Sequence, residues 1–460
     1  MKCSKRRLRK VILQKDRALI VTVSLALFCS ILFGLPPSGL ARPGFDIHKM
    51  SDMSDFDPTH PVIPTGDTIK IGAMGIFSGS GAAAGQYWWI IYNWVAHDIN
   101  KRGGVLVDGK WKKIQLIQGD TQGKVALAKK VAERLCLEEK VHVLWGPTGS
   151  HLVLPIQQVA RKYKVIFVNC AGYSDSLMNG KNFNRYTFRT ACTTTVIGQA
   201  MAYFLSQRPE RKFYILCQDY LAGHDLAEAF KKGLKQYKPN AEIVGEAYHP
   251  LWVKDFAPYV TKIQGSGAEV IFTGDWIPDS GTLLKQARDL GMKLPFAHIW
   301  MEDPNALCAV GPASSVGLLH VNEFLIDDDT AEHRAWFRNW NQQWKRWKKP
   351  YSTPLYKWPS GAIGAGLSEM YWFLDVLQRA GSTDPEKIIK DWEGDEYRPI
   401  TGAIYQMRAC DHQAIIEMYA TEFVHPNKWF ESCAYTGKII KIPAKYVTPP
   451  VPEDLERCKK

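Results

Sequence analysis

Past residue 41 the chain has no apolar run long enough to span a bilayer. It also lacks the usual signatures of hydrolytic and metal chemistry: there is no GxSxG, no HExxH and no convincing Cys–His pair. Eight cysteines follow residue 41, namely Cys136, Cys170, Cys192, Cys217, Cys308, Cys410, Cys433 and Cys458. None forms a CxxC pair or has a histidine at zinc-finger spacing, so no metal site and no cofactor is expected. A basic stripe with interleaved aromatics, as single-strand binders use, is also missing, which argues against nucleic acid as a partner. The net charge of +12 is no counter-argument. Residues 1–41 hold eight Lys/Arg and one acid, so only about +5 belongs to the rest.

What is present begins with a basic stretch, Lys2 to Arg17, an apolar run from Ala18 to Leu35, a Pro-Pro break and Gly39-Leu40-Ala41. This pattern is that of a secretory signal peptide over residues 1–41, cleaved after Ala41, with export of the rest. The rival reading is an uncleaved anchor, since 18 residues just span a bilayer. Residues 42–65 are polar and contain proline, and are expected to form a flexible arm. An exported chain meets an oxidising compartment, so disulfides are expected. Cys410 and Cys433 flank the strand-like AIIEMYATEFV and are one possible pair, although connectivity does not follow from sequence.

The remaining length is organised by apolar runs rich in β-branched and aromatic residues, each ending in a small, polar or aromatic turn and followed by a helix-like stretch. They are Ile69 to Phe77, Lys112 to Asp120, Val141 to Ser150, Tyr163 to Gly172, Arg211 to Tyr220, Ala241 to Pro250, Ala268 to Trp276, Leu294 to Trp300 and Val316 to Phe324. Continuous apolar strands alternating with helices predict an α/β fold with parallel sheets. One sheet of so many strands would be very large, so two lobes joined by several crossovers are expected. Helices are predicted over 331–349, 361–380 and 385–393, the last opened by Asp384-Pro385. Trp336, Trp340, Trp344 and Trp347 recur at helical spacing and read as a core face. Strand pairs are predicted over 402–442. Ligands of open α/β sheets bind beyond the carboxyl ends of the strands, so candidate functional residues lie where the runs stop.

The ordered set IKIGAMGIFSGSGAAAGQ, GDTQGKVALAKKVAERL, GPTGSHLVLPIQQVARKYKVIFVNCAG, YTFRTACTTTVIGQAMA, QDYLAGHDLAEAFKKGL, GDWIPDSGTLLKQARDLGM and MRACDHQA resembles the type 1 periplasmic solute-binding proteins of ABC transporters. The group it most resembles is the leucine/isoleucine/valine-binding proteins. The resemblance covers about residues 66–440. It implies two Rossmann-like lobes forming a clamshell, three hinge crossovers and a ligand held between the lobes. The lobes are then expected at 66–190 with 325–400, and at 191–324 with 401–460. The implied function is non-enzymatic capture of a small solute, an amino acid or related amphipathic metabolite, by a monomer that delivers it to a membrane ABC permease.

The turn Gly146-Pro147-Thr148-Gly149-Ser150 follows a strand and opens a helix, which suits a carboxylate. Thr148, Gly149 and Ser150 are candidate ligand contacts, although Thr148 or Ser150 would equally serve as an N-cap. The resemblance implies that Cys170 and Ala171 add groups at the next turn and that Tyr220 covers the ligand on closure. Cys170 also reads as core filling. Asp275 and Glu302 are the two acids placed to meet an ammonium, which is too costly to bury unpaired. Trp300 occupies the same turn as Glu302 and is the alternative there. Trp145 and Trp276 add indoles at strand ends, and Ser78 ends the first run. The string GSGAAAG beside Ser78 is only a weak dinucleotide signal.

Two other readings stand beside the receptor. A ligand-sensing subunit for a signalling partner uses the same clamshell. An exported α/β enzyme would need an acid–base pair, for which Asp411-His412 is the best candidate and a hinge hydrogen bond the blander explanation.

Overall fold

The computed structural model describes residues 50–327, 330–359, 361–399 and 404–459. The expected signal peptide 1–41 and the start of the arm, 42–49, lie outside the described residues. Among those described, no helix is long and apolar enough to cross a membrane.

The chain first forms β1 (Thr68–Gly75), β2 (Val105–Val107), β3 (Lys110–Asp120), β4 (Val143–Gly146), β5 (Ile166–Asn169) and β6 (Thr187–Arg189). It then forms β7 (Lys212–Gln218), β8 (Glu242–His249), β9 (Val270–Thr273), β10 (Phe296–His298) and β11 (Leu319–Asn322). Later come β12 (Glu396–Tyr397), β13 (Tyr405–Arg408), β14 (Gln413–Ile415), β15 (Met418–Val424), β16 (Tyr435–Thr436) and β17 (Ile440–Ile442). Two sheets result. One has the order β12-β13-β14-β6-β5-β4-β1-β3-β2, the other β16-β15-β11-β10-β9-β7-β8, with β17 on β15. The central strands β3-β1-β4-β5-β6 and β8-β7-β9-β10-β11 are parallel. Among the described residues the chain changes sheet three times: after β6, after β11 and between β14 and β15. These are two α/β lobes with three crossovers.

The expected change of lobe at 400–401 lies outside the described residues. Beyond it, β13 and β14 still belong to the first sheet, so the third crossing comes at Ile416 and Glu417, later than the pattern suggested. The apparent single strand AIIEMYATEFV is in fact split. Gln413–Ile415 pairs in the first sheet and Met418–Val424 in the second. This division corrects the proposed Cys410–Cys433 bridge. The disulfides are Cys308–Cys433, within the second lobe, and Cys410–Cys458, which ties the C-terminal segment to the first.

The arm is also corrected. Met53 and Phe56 are buried, with Phe56 edge-on to Trp94 at 5.1 Å and Trp347 at 5.7 Å. Ser51 donates its N–H to Asp98 at 2.7 Å, and Asp55 meets both His97 and Lys101. Met53 and Phe56 dock the described part of this segment, residues 50–65, while Val62 and Ile63 stay exposed. The tryptophan face behaves as a core face: Trp336, Trp340 and Trp347 are buried and Trp344 is half-buried. The helices run Ala331–Trp344, Ala362–Ala380 and Pro385–Trp392, and the Asp384 carboxylate accepts from the N–H groups of Glu386 and Lys387.

Candidate functional site

The carboxyl ends of both sets of parallel strands face one cleft between the lobes. It holds about 630 Å³ of empty space, mouth included, which is room for a small solute.

The first lobe supplies Thr148 and Gly149 after β4, Ala171 and Tyr173 after β5, and Ala84, Tyr87 and Trp88 from the helix Ala82–Lys101. The second supplies Tyr220 after β7, Trp276 and Ile277 after β9, and Trp300, Glu302 and Asp303 after β10. Leu355 and Ala362, from the segment that follows the second crossover, complete the lining. Six of these side chains are Tyr or Trp, and none is Lys, Arg or His. Rings from the two lobes meet directly, Tyr173 and Trp300 lying 4.8 Å apart between centroids. Within the second lobe, Trp276 donates Nε1–H to the Tyr220 hydroxyl at 3.2 Å.

The β4 turn is tight. Gly149 has φ 104, a conformation other residues rarely adopt, and its N–H donates to the Ala171 carbonyl at 3.3 Å. Ser150 is buried behind this turn, where its hydroxyl accepts from the Ser174 N–H at 3.2 Å. Thr148 lines the cavity, and its buried hydroxyl has no partner. A buried donor or acceptor left unmade is costly, so this hydroxyl is a natural ligand contact.

Glu302 is 8% exposed. Its Oε1 accepts from the Asn322 amide at 3.2 Å and from the Ala362 N–H at 3.4 Å, and its Oε2 lies 3.0 Å from His320 Nε2. Asp303 lines both the inner cavity and the open cleft beyond it, and burial, helped by the neighbouring Glu302 charge, pushes its carboxyl up to about 6.

Several expected contacts sit elsewhere. Trp145 points into the first-lobe core against Tyr92 and Phe373. Cys170 is fully buried, with its sulfur 3.3 Å from the Tyr92 hydroxyl, and burial raises its thiol pKa. Ser78 is exposed and bonds to Asp120. Asp275 is fully buried against His249. Cys170, Asp275 and Ser150 are displaced because their chain neighbours Ala171, Trp276 and Gly149 take the inward position, whereas no chain neighbour of Trp145 or Ser78 lines the cavity. Asp411 and His412 are also away from the cleft. Asp411 pairs with Arg408, and His412 contacts Glu393 at 2.7 Å and the Thr187 carbonyl at 3.0 Å, on the strand before the first crossing. The sequence pattern did not single out Tyr87, Tyr173 or Asp303, and it marked Trp88 only as one of the aromatics near the strand ends. Tyr173 and Asp303 adjoin residues it had chosen, whereas Tyr87 and Trp88 sit inside a helix.

The sequence matches the periplasmic binding protein family over residues 68–428. The chain belongs to that family. A Leu/Ile/Val-binding protein homolog of Brucella melitensis is 23% identical over 371 residues, covering 77% of this chain and 84% of the relative. An amino acid binding protein of Pseudomonas aeruginosa is 27% identical over 261 residues, or 55% of this chain and 66% of the relative. Among solved structures, a leucine-, isoleucine-, valine-, threonine- and alanine-binding protein from Brucella ovis in a closed conformation superposes with a TM-score of 0.70 at 22% identity, covering 85% of this chain and 98% of the other. A solute binding protein of an ABC transporter from R. palustris, in complex with 4-hydroxybenzoate, gives 0.69 at 23% identity, covering 83% and 100%. The structural likenesses establish that this binding protein has the two-lobed fold of its family.

Proposed function

We propose that this binding protein is an exported receptor that captures a small solute with a flat apolar body and a polar end, and hands it to a membrane ABC permease. The observation that carries this reading is the cavity walled by aromatic rings from both lobes. Rings on both sides bury a planar solute efficiently, and a closed cleft makes better contacts than an open one, so ligand shifts the lobes toward closure. Thr148 and the turn around it receive the polar end, a role supported by the unpartnered hydroxyl. Trp300, Trp276 and Tyr220 act as walls. The names of the relatives, which include amino acid and hydroxybenzoate binders, support a small organic acid or amino acid as cargo. Capture takes place in the periplasm, in keeping with the amino-terminal leader and the family.

The test is a thermal-shift screen of the chain without its first 41 residues against aromatic acids, amino acids, amides and polyamines. A true ligand at a hundredfold excess over its dissociation constant stabilises by about 2.7 kcal/mol. A concentration-dependent shift with an aromatic or amino acid is expected. No shift with any class would refute the reading.

A further inference from the structure

Glu302 belongs to the second lobe, following β10, where its carboxylate accepts from the Asn322 amide and lies 3.0 Å from His320 Nε2. Its Oε1 nevertheless reaches the N-terminus of the helix Ala362–Ala380, accepting from the Ala362 N–H at 3.4 Å across a sequence separation of 60. That helix is part of the first lobe: it packs on the helix Ala82–Lys101 and on β2, and Tyr371 anchors it to Asp98 at 2.8 Å. The next N–H of the same helix end, from Ile363, donates to the Tyr87 hydroxyl at 3.1 Å.

A helix start leaves its first N–H groups without intrahelical partners and favours a negative charge beside it. The usual cap is the residue just before the helix. Here that residue is Gly361, with φ 52, and a Cβ built on it would lie 1.7 Å from Glu302 Oε1. The position is therefore shaped around a carboxylate that arrives from the opposite lobe. We infer that Glu302 is a latch between the lobes, capping the Ala362–Ala380 helix in the closed receptor, and that it is not the partner of a ligand ammonium. Opening the clamshell uncaps the helix, so the latch biases the protein toward closure with or without ligand. Specificity then falls to the aromatic walls and Thr148, and the receptor does not require an amine on its ligand.

The specificity half of this inference rests on the receptor reading; the latch itself does not. The experiment uses the chain without its first 41 residues as wild type, Glu302→Gln and Gly361→Ala. The second variant keeps the charge but drives a methyl into the cap, and guards against a folding defect peculiar to the first. Small-angle scattering without ligand gives the radius of gyration. Titration calorimetry with phenylalanine and 3-phenylpropionate, which differ by the amine, gives affinity. The expected result is a larger ligand-free radius in both variants, with affinity for 3-phenylpropionate lowered about three- to thirtyfold and any phenylalanine affinity lowered by the same factor. An unchanged ligand-free radius overturns the latch. So does a loss of affinity confined to phenylalanine, which would make Glu302 the ammonium partner. If neither probe binds the wild type, the receptor reading fails for these solutes while the scattering still decides the latch.

Discussion

His249 Nε2 and Asp275 Oδ2 meet at 2.8 Å, and both side chains are fully buried. The contact joins the end of β8 to the turn after β9, one residue from the cavity wall at Trp276. Burial opposes a charge on the imidazole, but the Asp275 hydrogen bond and charge outweigh it and raise the His249 pKa. Asp275 is thus a structural group of the second lobe. Replacing it by alanine leaves a buried partner exposed to desolvation without compensation, and is expected to cost about 3–5 kcal/mol. Ligand affinity of the folded fraction stays within about twofold. A raised histidine pKa contributes stability that is full below about pH 6.5 and declines as pH rises through the folded value. Asp275→Ala should therefore also flatten that part of the melting profile. An affinity loss with an unchanged melting temperature would refute this assignment.

The same pair shows what sequence reading can and cannot resolve. Strand ends were visible because buried parallel strands are continuous apolar runs, and seven of the chosen residues there line the cleft: Thr148, Gly149, Ala171, Tyr220, Trp276, Trp300 and Glu302. Which of two neighbours faces inward was not visible. Asp275 and Trp276, or Gly149 and Ser150, differ only in which side of the turn they take. Tyr87, Trp88 and Ala362 lie on helices, where an aromatic or alanine beside a cleft has the same signature as one in a core. The cysteine pairing failed for a related reason. A run of apolar residues gave no sign that Ile416 and Glu417 carry the chain from one sheet to the other.

Trp300 and Tyr173 close on each other from opposite lobes, 4.8 Å between centroids. Trp300→Ala removes a cavity wall and one half of this contact. Affinity for an aromatic acid that binds the wild type should fall at least about thirtyfold, the scale of an interface hot spot. Trp300→Phe should lose only a few-fold, since a flat ring remains. Calorimetry on the three proteins checks this; equal affinity in Trp300→Ala would remove Trp300 from the binding surface.

The two disulfides close loops with sequence separations of 48 and 125 residues. Cys410–Cys458 holds down a tail in which Arg457 donates to Glu393 at 2.6 Å and Asp454 accepts from the Gly180 N–H at 2.9 Å. Removing either bridge should cost about 2–5 kcal/mol. Cys458→Ser should in addition free the tail to protease within residues 449–459 while the rest of the protein stays resistant. Among the described residues four thiols are free, and three of them, Cys170, Cys192 and Cys217, are buried. A thiol reagent should therefore label Cys136 first in the native protein and all four only on unfolding. Labelling at Cys308 or Cys458 without reductant would contradict the pairing.

Two carboxyl groups lie fully buried beside the crossovers. Glu323 Oε2 accepts from the Cys192 N–H at 3.0 Å, linking the second crossing to the first, and Glu369 Oε2 accepts from the Thr190 hydroxyl at 2.8 Å. The second oxygen of Glu369 has no partner. Burial pushes Glu323 up to about 7; it also raises Glu369 well above the usual carboxylate range, and the charge on Glu323 adds to that rise. Between the ordinary glutamate value of about 4.5 and the folded value of about 7, the native protein holds more protons at Glu323 than the unfolded chain. Stability therefore falls as pH rises through that window, by up to roughly 3 kcal/mol for this group. Glu323→Gln keeps an oxygen for the Cys192 N–H and removes the titration. It should raise the melting temperature at pH 8 and flatten the profile between pH 5 and 7.5, with little change at pH 5. A variant that melts lower at pH 8, with the wild-type slope intact, would mean that Glu323 is ionised in the hinge and stabilised there by a neighbour.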